Sequence, residues 1–253
     1  MSPKTIDKTC LSYWFPKIEA AGLPVPETKI VNMSGEAFED VFNIFDGKAI
    51  TGKSKPFFDD IRAAAEAIGY PCFLRTGQTS GKHGWDRTCF LQSPEQVLEH
   101  VFNIVEYSEM AGIIGLPCDI WAVRKFLSTS PLATCPMYGN MPICREFRIF
   151  VDGSIIRCWH PYWPLEALRR GGIDDYDEAY SIFDQLCKEV VLLPDKNRLF
   201  YIASRAGLAV GGSWSVDILE TEEGWYLTDM AEADKSFHWE GCELNKLKEK
   251  KFK

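Results

Sequence analysis

The sequence predicts an α+β fold, and three observations carry that expectation. Helical and extended patterns alternate through the first half in the order helix, strand, loop, strand, helix, strand. The second half holds two hairpin patterns, over 145–160 and 213–230, with long helical stretches between them. The stretch Gly77 to Gly84 follows a strand but matches neither G-x-G-x-x-G nor the P-loop pattern, so a dinucleotide-binding βαβ unit is not indicated.

Each element has a local reason. Leu11 to Ala21 reads as a short amphipathic helix. Pro24 and Pro26 disfavour helix before them, so Leu23 to Pro26 is extended and Thr28–Asn32 follows as a strand. Lys55 to Gly69 carries Phe57, Ile61, Ala65 and Ile68 at helical spacing, with Pro56 in the first turn and Gly69 as the stop. Strands are expected at Cys72–Thr76 and Arg87–Leu91, joined by the loop Gly77 to Asp86. Ser93-Pro94-Glu95-Gln96 is a capping box, opening a helix with Val97, Val101 and Ile104 or Val105 on one face. Ile120–Leu127 is expected as a strand. Arg145–Val151 and Ser154–His160 should form a hairpin about Asp152-Gly153. Helices over Tyr176–Leu192 and Leu199–Ala209 lead to Gly211-Gly212 and to a last hairpin, Ser213–Glu220 with Trp225–Met230.

Composition excludes several classes. The 253 residues suffice for one large unit or two to three packed lobes. No apolar run approaches the roughly 18 residues that would span a bilayer, and Met1 to Cys10 lacks an apolar leader core. The net charge of −8 argues against a general nucleic-acid coat. Nine cysteines, an odd number with no C-x-x-C, read as free thiols of a reducing cytoplasm, with Cys72, Cys89, Cys144 and Cys158 inside apolar stretches. A reactive thiol is not indicated. The five lysines from Lys246 to Lys253 read as a solvated helix end or tail.

Two like-charge pairs stand out. With a two-residue turn at Asp152-Gly153, Val151 faces Ser154 and Arg148 faces Arg157 across one sheet face. Glu146 shares that face. The pair is either an Arg–Glu–Arg surface network or a phosphate clamp, because the guanidinium fork suits phosphate. With a three-residue loop at Glu222-Glu223-Gly224, Leu219 faces Leu227 and Asp217 faces Asp229. Two opposed carboxylates in mid-strand call for a cation, unless a longer loop turns one of them to solvent. Mg²⁺ is the sharper reading, with Glu232 and Asp234 as further candidate ligands. The loop Gly77-Gln78-Thr79-Ser80-Gly81-Lys82-His83-Gly84 offers amides and a lysine that can close over phosphates, although such loops are mostly structural.

Taken in order, these segments resemble the ATP-grasp superfamily over nearly the whole chain. Leu23 to Thr28 is similar to the segment preceding its core. Tyr70 to Arg75 is similar to the strand carrying its first phosphate-binding lysine, here Arg75. Thr79 to Gly84 resembles its glycine-rich loop, and Trp121 to Leu127 the strand leading to its adenine hinge. Arg145-Glu146-Phe147-Arg148 resembles its E-x-R strand, and Asp217 and Asp229 fall at its metal ligands. The arginine and the wording LRTGQTSGKHGW are similar to a phage-rich branch. One departure is Ala231, two residues after Asp229, where the family has Asn; Glu232 is the candidate replacement.

The resemblance implies two α+β lobes with ATP between them: an N-terminal segment and lead-in helix over 1–69, a first lobe over 70–127 and a second over 128–253. It implies ATP and Mg²⁺ as cofactors. Arg75, Thr79, Ser80, Gly81, Lys82 and Arg148 would take the phosphates, and Lys125, Phe126 and Leu127 would border the base. Arg148, Lys82 and Arg157 would be the catalytic cations, and Asp217, Asp229 and Glu232 the metal ligands. The implied function is an ADP-forming carboxylate–amine or thiol ligase working through an acyl phosphate. Its substrates would be small-molecule, peptide or protein carboxylates and amines, in the cytoplasm (of a host, if viral). An ATP-binding assembly factor and an ATP-grasp kinase are the alternatives.

Overall fold

The computed structural model describes residues 7–111, 115–173, 175–192 and 196–239. The lysines from Lys246 onward lie outside them. Helix α1 (Leu11–Ala20) buries Leu11, Trp14, Phe15 and Ile18, one stripe at helical spacing. Strand β1 (Thr28–Asn32) follows the extended prolines. Ser34 caps α2 (Gly35–Phe42), its hydroxyl accepting from the Ala37 amide at 3.1 Å. Then come α3 (Lys55–Ile68), β2 (Cys72–Thr76) and β3 (Phe90–Leu91). The Ser93/Gln96 capping box is formed and leads through a 3₁₀ turn into α4 (Val97–Met110). The chain continues through β4 (Ile120–Lys125), β5 (Ala133–Cys135), β6 (Met141–Ile143), β7 (Glu146–Asp152) and β8 (Ile155–Pro161). Helices α5 (Leu165–Arg170), α6 (Tyr176–Leu192) and α7 (Lys196–Val210) precede β9 (Ser213–Thr221) and β10 (Gly224–Glu232).

These elements form two compact units. One comprises Pro26–Leu127 with Pro136–Met141, the other Met1–Val25, Ser128–Cys135 and Pro142–Lys253. The described residues before Pro26 belong with the C-terminal unit. No helix among the described residues is long and apolar enough to cross a membrane.

The N-terminal unit is built on a four-stranded sheet of order β1-β4-β2-β3. Leu74 pairs with Val123 and Thr76 with Trp121, so these side chains share one face. That face packs on α3 and α4 through Phe57, Phe58, Ile61, Ala65, Val101 and Ile104. Arg75, paired with Ala122, and Phe73, paired with Arg124, belong to the other face. Asp40 of α2 is 1% exposed and ties the α2–α3 connection together. One of its oxygens accepts from the Thr51 amide and hydroxyl at 2.6 and 2.7 Å, the other from those of Ser54 at 3.0 and 2.8 Å.

The C-terminal unit carries a second four-stranded sheet, β10-β9-β7-β8. One face holds Phe147, Ile149, Val151, Val216 and Ile218 and is covered by α7. Gly207 of α7 is required there. A Cβ on it would lie 2.1 Å from the Gly153 carbonyl oxygen and 2.7 Å from Val151, so helix and turn meet backbone to backbone.

Helix α2 carries no sequence expectation, its stripe being only two turns long. Three sequence expectations are corrected. The strand expected over Arg87–Leu91 shrinks to Phe90–Leu91, since Lys82–Arg87 winds into a 3₁₀ turn. The β7–β8 turn is Gly153-Ser154, with Asp152 paired to Ile155. The β9–β10 turn is Glu222-Glu223, with Thr221 paired to Gly224 and Leu227 to Ile218.

Burial works against the Asp40 charge, but the four donors from Thr51 and Ser54 outweigh it and hold the carboxyl well below its usual range. Its contribution to stability is therefore complete above the unfolded pKa of 3.8 and is lost as pH falls below it. Asp40→Asn should be less stable than the parent at neutral pH. The difference should shrink as pH drops below about 4, measured by urea unfolding across pH 2 to 7.

Candidate functional site

The second face of the C-terminal sheet gathers the ionisable groups. Asp229 pairs with Asp217, Asp217 with Arg148, and Arg148 with His160. A single row of side chains thus crosses all four strands. The opposition of Asp217 and Asp229 arises through a different turn and a β-bulge. After Leu227 pairs with Ile218, Thr228 is the extra residue, and the shift returns Asp229 to the face of Asp217. The Thr228 hydroxyl lies 3.2 Å from both Glu146 Oε1 and the Asp217 carbonyl oxygen.

A second bulge removes the other expected pair. Val151 pairs with Ile156 and Phe150 with Cys158, which leaves Arg157 as the extra residue of β8. Arg148 therefore faces His160 and not Arg157. The exposed Arg157 guanidinium bonds Asp152 at 2.8 Å at the end of the hairpin.

Arg148 instead grips Asp217. Its Nε and Nη2 donate to the two carboxylate oxygens, each at 2.8 Å, with side chains only 14% and 6% exposed. Tyr162 stacks at 4.7 Å from the guanidinium. Burial works against the Arg148 charge, and the Asp217 carboxylate overcomes it, holding the guanidinium above its usual range. His160 Nδ1 lies 2.8 Å from the Pro161 carbonyl oxygen, which can only accept, so Nδ1 carries the proton. Burial, reinforced by the charge of Arg148, pushes this imidazole down to about 4, so it is neutral at pH 7.

The acidic groups are engaged internally. Asp217 is chelated by Arg148, and Glu232, next to Ala231, bonds Lys235 at 2.7 Å. Asp229 Oδ1 accepts the Met230 amide at 3.0 Å. Among the described residues no three His, Cys, Asp or Glu groups converge on a metal position. With Asp217 held by Arg148 and Glu232 by Lys235, the donor set in this arrangement does not fit a divalent cation between Asp217, Asp229 and Glu232.

In the N-terminal unit, Arg75 is buried on the sheet face opposite α3 and α4, with Nε donating to the Thr76 carbonyl oxygen at 3.0 Å. Arg124 joins it on that face, a cation that alternation along β4 would have revealed. Its Nε donates to Thr28 Oγ1 at 3.2 Å. The loop after β2 is braced from within. Thr76 Oγ1 accepts the amides of Gln78 and Thr79 at 3.2 and 3.0 Å. Ser80 precedes Gly81, whose backbone is left-handed, and the Thr88 hydroxyl lies 2.8 Å from the carbonyl oxygens of both Gly81 and Gly84. Lys82 opens the 3₁₀ turn, and His83 stacks on Tyr138 with centroids 4.3 Å apart. Lys125 ends β4, and Phe126 packs on Phe90 and Trp85 at 5.0 and 6.2 Å, just before Leu127. Trp85 and Phe90 had no distinguishing signal in the sequence.

Sequence distance also hid a thiol–imidazole pair. Cys158 is half-buried rather than core, with Sγ 3.0 Å from Nε2 of His238, eighty residues away.

No protein-family model matches the sequence, and no curated protein does. Among solved structures, Cdc123 from Schizosaccharomyces pombe is similar over 89% of this chain and 83% of its own, with a TM-score of 0.51 and 13% identity. A biotin carboxylase complex from Campylobacter jejuni gives 0.49 and 11% over 92% of this chain and 42% of its own. A RimK domain ATP-grasp protein from Sphaerobacter thermophilus gives 0.43 and 18% over 88% and 59%. The chain spans less than two thirds of the last two. The fold is α+β and resembles the two-lobed ATP-grasp architecture, and fold is what likeness at such identity carries.

The buried ion pair has a measurable consequence. Arg148→Met strands a carboxylate in the sheet and should cost about 3–5 kcal/mol, whereas Arg148→Met with Asp217→Leu should cost clearly less. Urea unfolding of Arg148→Met, Asp217→Leu and the double variant closes the cycle.

Proposed function

We propose that this chain binds ATP and acts mainly by binding, as an assembly factor with weak or no turnover. The observation that carries this reading is the bidentate Arg148–Asp217 pair. It puts a phosphate-type donor in the middle of the sheet and neutralises the carboxylate that a metal-dependent ligase would need. Glu232 is likewise held by Lys235, and Ala231 stands where the resembled family has an Asn. Binding of this kind needs cations and amides in fixed positions and no protein nucleophile. In the C-terminal unit the proposed phosphate contact is Arg148. In the N-terminal unit, taken by itself, Arg75, Lys82 and the amides of Thr79, Ser80 and Gly81 are proposed for phosphate, and Lys125, Phe126 and Leu127 for the base. The nucleotide would carry its own Mg²⁺.

A second reading, the ATP-dependent ligase, is favoured by one specific observation: Asp229 and Asp217 are register partners beside Arg148. In that reading the acid substrate is phosphorylated and an amine or thiol displaces the phosphate.

Calorimetry and turnover separate the two. ATP should raise the melting temperature, since a ligand at 100 times its Kd adds about 2.7 kcal/mol. Arg75→Ala should weaken the effect by about 1.5–3 kcal/mol. ADP should appear far below the roughly 1–10³ s⁻¹ of ordinary enzymes, and screening acids with hydroxylamine should yield no hydroxamate. A hydroxamate formed at enzymatic rate would establish the ligase instead.

A further inference from the structure

After β10 ends at Glu232 the chain turns and crosses the sheet face that carries Arg148, following the strand order. Ser236 Oγ lies 2.5 Å from Ser215 Oγ of β9. The Phe237 carbonyl oxygen accepts from Arg148 Nη1 of β7 at 3.4 Å. His238 stacks on Phe150 of β7 at 4.2 Å and meets Cys158 Sγ of β8 at 3.0 Å. Trp239 lies on His160 of β8 at 5.0 Å and on Phe183 of α6 at 5.2 Å. Beneath this segment the Arg148 guanidinium has three N–H groups committed, two to Asp217 and one to Phe237. One N–H remains on each of Nη1 and Nη2, and a phosphate approaching them meets the Phe237 carbonyl oxygen at Nη1.

We infer that Ser236–Trp239 is an internal strap that competes with phosphate for Arg148. The inference rests on the nucleotide reading and adds its regulation: the strapped protein is the weak-binding state, and binding requires the strap to lift from β7 and β8. The strap is suited to release. Its contact with Arg148 is one long hydrogen bond from a backbone carbonyl. Its anchors include two aromatic rings, the Ser215–Ser236 hydroxyl pair and the Cys158–His238 contact. Phe237, the residue over Arg148, leaves its own side chain exposed. Apparent affinity is the intrinsic affinity reduced by the fraction of unstrapped protein, so a strap closed nine-tenths of the time weakens binding about tenfold.

The test is a reversible latch. Ser215→Cys/Ser236→Cys places two thiols where the hydroxyls touch, with the intact chain and crosslink verified by mass spectrometry. ATP and inorganic tripolyphosphate are titrated by calorimetry. The oxidised variant should bind both on the order of tenfold more weakly than the reduced one, with recovery on adding reductant. His238→Ala/Trp239→Ala should bind more tightly than the parent. A measurement on the parent needs no variant: ATP should speed alkylation of Cys158, which His238 covers, as followed on its peptide. Equal affinity of oxidised and reduced latch, or ATP that raises the melting temperature while leaving Cys158 labelling unchanged, overturns the strap and leaves the nucleotide reading standing. No binding of either probe by parent, reduced latch and strap variant alike overturns both.

Discussion

The ion pair between Arg148 and Asp217 is the constraint on which the C-terminal half depends. Two charges placed side by side on adjacent strands, nearly out of solvent, are tolerable only when each satisfies the other. That requirement fixes the register of β7 against β9, and with it the row Asp229, Asp217, Arg148, His160. It also explains the neutral state of His160. A protonated imidazole across from a buried guanidinium would add an uncompensated cation, and burial together with the guanidinium charge keeps it unprotonated.

Much of the fold was legible because local physics decides it. The stripes of α1, α3 and α4, the proline-bounded β1 and the Ser93 capping box need only neighbouring residues. What failed was register. One extra residue on a strand swaps its faces beyond that point, and both hairpins carry a bulge that no turn rule foretells. In β8 the bulge moved Arg157 away from Arg148. In β10 the bulge at Thr228 compensated a misassigned turn, so Asp217 and Asp229 meet for a reason different from the expected one. The Cys158–His238 contact and the return of Ser236–Trp239 join residues far apart in sequence, and no pattern in one chain announces such contacts. Arg124 is a different case, visible by simple alternation once β4 pairs with β2.

The site's chemistry follows from where charge is already spent. A cation chelated by a neighbouring carboxylate is a preorganised donor that gives up its partner only to a better anion, and a polyphosphate is such an anion. A carboxylate so chelated is a poor metal ligand until the cation leaves. The same bond disfavours an assembled metal centre, which is why we propose binding rather than turnover for this arrangement.

The most direct measurement of that account is the Nε–H resonance of Arg148, followed by ¹⁵N nuclear magnetic resonance during ATP titration and assigned with Arg148→Lys. If Arg148 exchanges Asp217 for phosphate, its Nε–H signal moves progressively and saturates with the calorimetric Kd. If ATP binds while that resonance stays in place, Arg148 remains on Asp217 and the pair is structural, which contradicts the account.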